Sequence, residues 1–177
     1  MTIETLKELL PDYAKDLKLN LSSLPNNTDL TEQQLWGSLL AAAISSRSAA
    51  VTKAIAAEAK EHLSAEALQA AKGAAAIMAM NNIYYRFVHL ASNKEYGNLN
   101  AGLRMSIIGN PGIEKVDFEL WALVVSAVNG CGMCIDAHEK ILLKSGLSIA
   151  AIQAAVRIAA VVHGVAVTIE SEEDLKA

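Results

Sequence analysis

The sequence carries no excess of positive charge: 15 Lys and Arg against 19 Asp and Glu leave a formal net charge of −4. Nucleic acid and anionic membrane surfaces both demand a basic face, so neither is expected as a partner. Cysteine is almost absent. Two in 177 residues are too few for a secreted disulfide framework, and their spacing fits a reversible pair in a reducing compartment better than a structural staple. The N-terminus carries acids from Glu4 onward and lacks the basic, apolar and small-residue succession of a signal peptide, so the chain is expected to be cytoplasmic. No segment alternates apolar and polar residues with a period of two, which leaves an all-α fold. Apolar residues, by contrast, are plentiful: 53% hydrophobic against 19% charged excludes disorder and predicts a single domain over residues 1–177 with a substantial core.

Along the chain, residues 3–19 place Ile3, Leu6, Leu9, Leu10, Tyr13 and Leu17 at helical spacing, an amphipathic arm that Pro11 kinks or splits. Ser22 to Asp29 reads as a loop around Pro25-Asn26-Asn27. Thr31-Glu32-Gln33-Gln34 resembles a capped helix start, and that helix runs to about Ile44. Two Ala-rich helical patterns follow over 48–62 and 65–85. Residues 91–115 form a polar connection broken by Asn110-Pro111-Gly112. Asp117 is expected to cap a helix to Asn129, followed by helices over 131–144 and 148–169. The last is apolar and long enough to span a bilayer, but Gln153, Arg157 and His163 interrupt it and a mid-span Arg is costly in lipid, so a buried core helix is expected, with His163 satisfied inside the core. His62 and His89 are expected at the surface, Trp36 and Trp121 in the core, and Ser171 to Lys176 as a solvated acidic tail.

The two halves match each other. Gln34-Leu35-Trp36 corresponds to Glu119-Leu120-Trp121 at an offset of 85 (119 − 34), and Leu63 to Ala71 corresponds to Leu147 to Ala155 at 84 (147 − 63). A duplicated three-helix unit over about 31–90 and 116–170 is therefore expected. At the first offset Glu119, Cys131, Cys134 and His138 correspond to Gln34, Ser46, Ala49 and Lys53, so one copy builds the helices without those four chemical groups.

Both cysteines lie in Asn129-Gly130-Cys131-Gly132-Met133-Cys134-Ile135-Asp136-Ala137-His138. In a helix beginning near Cys131, the two sulfurs and the imidazole fall at i, i+3 and i+7 on one face. Thiolate is the reactive form, and a helix N-terminus stabilises it. Two intervening residues in a helical turn also meet the Cα separation a disulfide needs. His138 is the natural proton carrier, since its ordinary pKa lies near neutrality. Glu119 reaches that imidazole if its helix packs on the cysteine helix as an antiparallel hairpin. Ordinary readings stand beside these: a solvated His138, a Glu119 that compensates the helix dipole, a zinc site built on Cys131, Cys134 and His138 with no fourth ligand in view.

Leu103-Arg104-Met105-Ser106-Ile107-Ile108-Gly109-Asn110-Pro111-Gly112-Ile113, Phe118-Glu119-Leu120-Trp121, Ser126 through Cys134 and Ala137-His138-Glu139 carry a resemblance, together with Leu35-Trp36-Gly37 and Ala74-Ala75-Ala76-Ile77-Met78. They resemble the alkyl hydroperoxide reductase D family, the lipoyl-dependent alkylhydroperoxidases of the carboxymuconolactone decarboxylase superfamily, over essentially the whole chain. The resemblance implies an all-helical homotrimer with weak peroxidase activity that recycles a partner peroxiredoxin. Its electrons would come from NADH through dihydrolipoamide dehydrogenase and the lipoyl group of an acyltransferase, with no cofactor or metal bound. It further implies that Cys134 is oxidised to sulfenic acid. Cys131 would supply the proton, close the Cys131–Cys134 disulfide and form the mixed disulfide with the peroxiredoxin, while Glu119 and His138 relay protons. Helix-dipole reasoning alone favours Cys131 as the attacking thiolate; the family order is followed because His138 lies one turn from Cys134. Met133 departs from the family, whose better-known members carry a histidine there, and methionine cannot relay a proton. The competing expectations are a non-redox lyase or decarboxylase of the same superfamily, a zinc-binding module, and a structural helical protein indifferent to both cysteines.

Overall fold

The computed structural model describes residues 2–176, all-α, with nine helices among them. The arm is two helices rather than one: α1 (Ile3–Leu9) stops where Leu10 turns extended ahead of Pro11, and α2 (Lys15–Ser23) resumes after a short turn. Ser22 and Ser23 thus belong to a helix, not to the expected loop.

Two runs of three helices build the body. The first is α3 (Glu32–Ser46), α4 (Ala49–His62) and α5 (Ala65–Leu90). After a polar connection holding the four-residue α6 (Ser106–Gly109) come α7 (Lys115–Asn129), α8 (Gly132–Lys144) and α9 (Ile149–Asp174). The expected capping box closes α3: the Thr31 hydroxyl accepts from the Gln34 N–H while Gln34 reaches back to the Thr31 N–H. Asp117 caps nothing. It stands in the first turn of α7, buried, where Gln33 and Gln34 donate to its two oxygens at 2.6 and 2.9 Å. A carboxylate held there satisfies two side chains of α3 as well as the dipole of its own helix.

α3 and α7 pack on each other at the centre, with α5 and α9 packed on both. Gln34 to Ala43 and Asp117 to Ser126 are buried without interruption, so both helices are enclosed on every side. Their close approach depends on Gly37, where a Cβ would fall inside the Trp121 indole, whose N–H donates to the Gln34 carbonyl at 3.3 Å. α8 leans on α7 and α5, α4 on α3, and the arm covers α4 and α9.

α9 is long and apolar enough to cross a membrane by length and composition, and one face of it is core: Ala151, Ile152, Ala155, Ile158, Ala159, Val162 and Val165 are all buried. Gln153, Arg157, Ala160 and His163 share its outward side. His163 is therefore exposed rather than a core histidine, because the helical period sets it opposite Val162 and Val165. Trp36 and Trp121 are buried and His62 and His89 exposed as expected. The acidic tail from Ser171 is helical through Asp174 and exposed except for the half-buried Glu172, which accepts from the Tyr13 hydroxyl.

Candidate active site

The site is built where α7 ends and α8 begins. Gly130 takes a left-handed conformation (φ 66°), and the Cys131 N–H returns to the Ser126 carbonyl at 3.1 Å, which closes the helix end. Arg86 donates to the last α7 carbonyl, that of Asn129, at 2.6 Å. The Asn129 side chain donates to Asn82, and Asn82 to Ser126 in a fully buried bond, so α5 is tied to the end of α7 by side-chain hydrogen bonds.

This turn costs the chain the residue before α8. Cys131 is the extended N-cap rather than a helical residue, and its sulfur makes no capping bond. Only Cys134, in the first turn, and His138, one turn later, share the helix face that was expected to hold all three. Both cysteines still stand at the helix start, Cys131 as N-cap and Cys134 in the first turn, where the positive end of the helix dipole favours a thiolate. Cys131 and Cys134 are joined as a disulfide with their Cα atoms 5.3 Å apart. Cys131 is fully buried and Cys134 is 5% exposed.

Glu119 lies inside α7 and is buried, with Oε2 2.6 Å from His138 Nδ1. The hairpin contact is therefore present. A carboxylate at Nδ1 makes that nitrogen the donor, which leaves Nε2 to the pocket, where it sits 3.3 Å from Met78 Sδ. The second carboxylate oxygen, Oε1, is buried without a partner.

Beside His138 and Cys134 opens a pocket of about 220 Å³, walled by Met78, Asn81 and Tyr85 of α5, by Met105 and Ile108 from the connection, and by Met133 and Ala137. Met133, 40% exposed, stands at its rim. The structure thus gathers Cys131, Cys134, His138 and Glu119 in one place. A larger cavity of about 810 Å³ lies between Arg47, Lys72 and Arg86 and holds none of the four, so the smaller pocket, which holds Cys134 and His138, is the candidate site. Sequence reasoning missed Met78, Asn81 and Tyr85. Their signal was legible: 78, 81, 82 and 85 repeat at helical spacing, and an Asn-Asn pair interrupts an Ala-rich apolar helix. Among the described residues no three His, Cys, Asp or Glu side chains converge to hold a metal ion.

An all-helical chain with a Cys-x-x-Cys disulfide at a helix start defines a class, and residues 94–171, which contain α7, α8 and most of α9, match the carboxymuconolactone decarboxylase family. Over nearly its whole length the chain is also similar to curated relatives. It is 63% identical to the alkyl hydroperoxide reductase AhpD of Rhodopseudomonas palustris over 97% of this chain and 94% of that one. It is 59% identical to the AhpD of Streptomyces griseus over 97% of both chains, and 59% identical to that of Streptomyces coelicolor over 100% of this chain and 99% of the other. The chain belongs to the AhpD family of alkyl hydroperoxide reductases within that superfamily.

Proposed function

We infer that this protein is an antioxidant thiol peroxidase that reduces alkyl hydroperoxides and takes its electrons from dihydrolipoamide. One observation carries the reading: a closed Cys131–Cys134 disulfide at the start of α8, whose pocket-facing sulfur shares an apolar cavity with an imidazole held by a buried carboxylate. In the reduced protein, the Glu119–His138 pair takes the Cys134 proton and the thiolate attacks the peroxide. The alcohol leaves, and Cys131 condenses with the sulfenic acid to close the disulfide and release water. A dihydrolipoyl thiolate reopens it by exchange.

The outer face of the disulfide is Cys134, so exchange starts on that sulfur and Cys131 departs as a thiolate stabilised by the α8 N-terminus. Cys131 then carries the mixed disulfide by which a partner peroxiredoxin is recycled, a step open only to the reduced form, since in the oxidised one that sulfur is already bonded to Cys134. The lipoyl group of an acyltransferase, recharged by dihydrolipoamide dehydrogenase, is the reductant; the enzyme is a cytoplasmic homotrimer. Met133 at the rim supplies no proton, so Glu119 and His138 bear the relay alone.

The test is NADH oxidation through dihydrolipoamide dehydrogenase and lipoamide, with and without peroxide, on the wild type and on Cys134→Ser. Peroxide-dependent turnover is expected in the first and none in the second. Equal turnover in both rejects the assignment.

A further inference from the structure

Two neighbouring asparagines on α5 are treated differently by the fold. Asn82 is fully buried and fully used: its Nδ2 donates to Ser126 Oγ at 2.9 Å and its Oδ1 accepts from Asn129 at 3.0 Å. Asn81 is 4% exposed, and its Oδ1 is buried with no hydrogen-bond partner. A buried carboxamide oxygen without a partner is a standing penalty, and beside reactive side chains such a group points to a catalytic role or a bound molecule that completes it. Asn81 lines the same pocket as Cys134 and His138, and the other side chains around it are mostly apolar.

We propose that Asn81 is a substrate-binding residue whose carboxamide oxygen accepts the O–H of an alkyl hydroperoxide and turns the terminal peroxide oxygen toward Cys134. The inference rests on the peroxidase reading above and names the group in the pocket that receives the peroxide. The alkyl portion lies among Met78, Met105, Ile108 and the ring of Tyr85, a mostly apolar wall. Cys134 thiolate attacks the terminal oxygen, so the S–O bond forms as the O–O bond breaks. The sulfur gives up two electrons, and the peroxide is reduced to an alkoxide that takes the proton carried by His138. The hydroxyl hydrogen stays on the oxygen now bound to sulfur, and its bond to Asn81 holds the sulfenic acid until Cys131 condenses with it.

The experiment is stopped-flow oxidation of the pre-reduced full chain by tert-butyl hydroperoxide, with thermal unfolding measured in parallel, on the wild type, Asn81→Leu and Asn81→Gln. Asn81→Leu is expected to lose about tenfold or more in the second-order rate constant, the scale of one hydrogen bond to a reacting group. Its melting temperature should hold or rise, because an unsatisfied group has been removed from the interior. Asn81→Gln, which keeps the carboxamide, should recover part of the rate. Oxidation of Asn81→Leu at the wild-type rate overturns the proposal. So does a rate loss accompanied by a lower melting temperature and no rescue by Gln, which marks a packing role. A wild type that the peroxide does not oxidise at all sinks the peroxidase reading itself, a result distinct from both.

Discussion

Set side by side by their helix boundaries, the two helical triplets show what the fold requires and what the chemistry adds. α3, α4 and α5 have 15, 14 and 26 residues; α7, α8 and α9 have 15, 13 and 26. The two triplets share the same helix order and nearly the same lengths. Through the first two helices the offset is 83 (115 − 32 and 132 − 49), not the 85 of the Leu-Trp match. Burial follows that register: Val51, Ile55 and Ala59 of α4 are buried where α8 buries Cys134, His138 and Leu142. Glu119 then falls opposite Trp36, and Cys131 opposite Ser48. Ser48 caps α4 through its hydroxyl, whereas Cys131 leaves its helix without a side-chain cap. Where the first triplet has three apolar or aromatic core positions and one cap, the second has an acid, an imidazole and two thiols. The fold does not ask for them, since the other triplet does without.

The sharpest way to break this contrast is to return the acid and imidazole to apolar residues. His138→Ile alone leaves Glu119 buried without its partner and should destabilise the protein by about 3–5 kcal/mol. The double variant Glu119→Leu with His138→Ile removes both buried polar groups together and should be as stable as the wild type, or more so, in thermal or urea unfolding. Peroxide turnover, in contrast, should fall by about 10²–10⁴-fold in both, the range that positioned proton transfer contributes. If the double variant unfolds as readily as the single one, the pair is structural and the comparison fails.

Much of this is legible in the sequence. The capped start of α3, the break at Pro11 and the two Ala-rich helices follow from local rules that tertiary packing left undisturbed. Cys131, Cys134, His138 and Glu119 could be named because thiols and ionisable groups in an apolar chain are conspicuous. What escaped were features decided by packing. A left-handed Gly130 and its returning hydrogen bond move the start of α8 one residue on, which no periodicity reveals. His163 looked interior because α9 is apolar overall, yet its outward side is set by which face meets α3 and α7. Asn81 and Met78 sit 50 residues or more from the cysteines, so their spacing and the Asn-Asn pair mark one face of α5 without saying that this face walls the pocket.

The smaller tests probe the helix ends and the central contact that the triplets share. Gly37→Ala pushes a methyl group into the buried Trp121 ring and should cost about 1–3 kcal/mol, since an overpacked core cannot yield without moving α3 from α7. The least effect is expected where each triplet closes its first helix. α3 ends on Arg47 and α7 on Gly130, both left-handed, at φ 62° and 66°. A residue with a Cβ pays about 1–2 kcal/mol for that conformation and glycine avoids it, although glycine gives back part of the gain through the entropy of the unfolded chain. Gly130→Ala should therefore destabilise by about 1 kcal/mol, and Arg47→Gly should stabilise by about 0.5 kcal/mol, as read from urea midpoints at constant slope. Opposite signs at these two matched positions would show that the triplets close their first helices by the same backbone device. A stabilising Gly130→Ala would mean that the turn before Cys131 is held in some other way, and the common register of α4 and α8 would lose its basis.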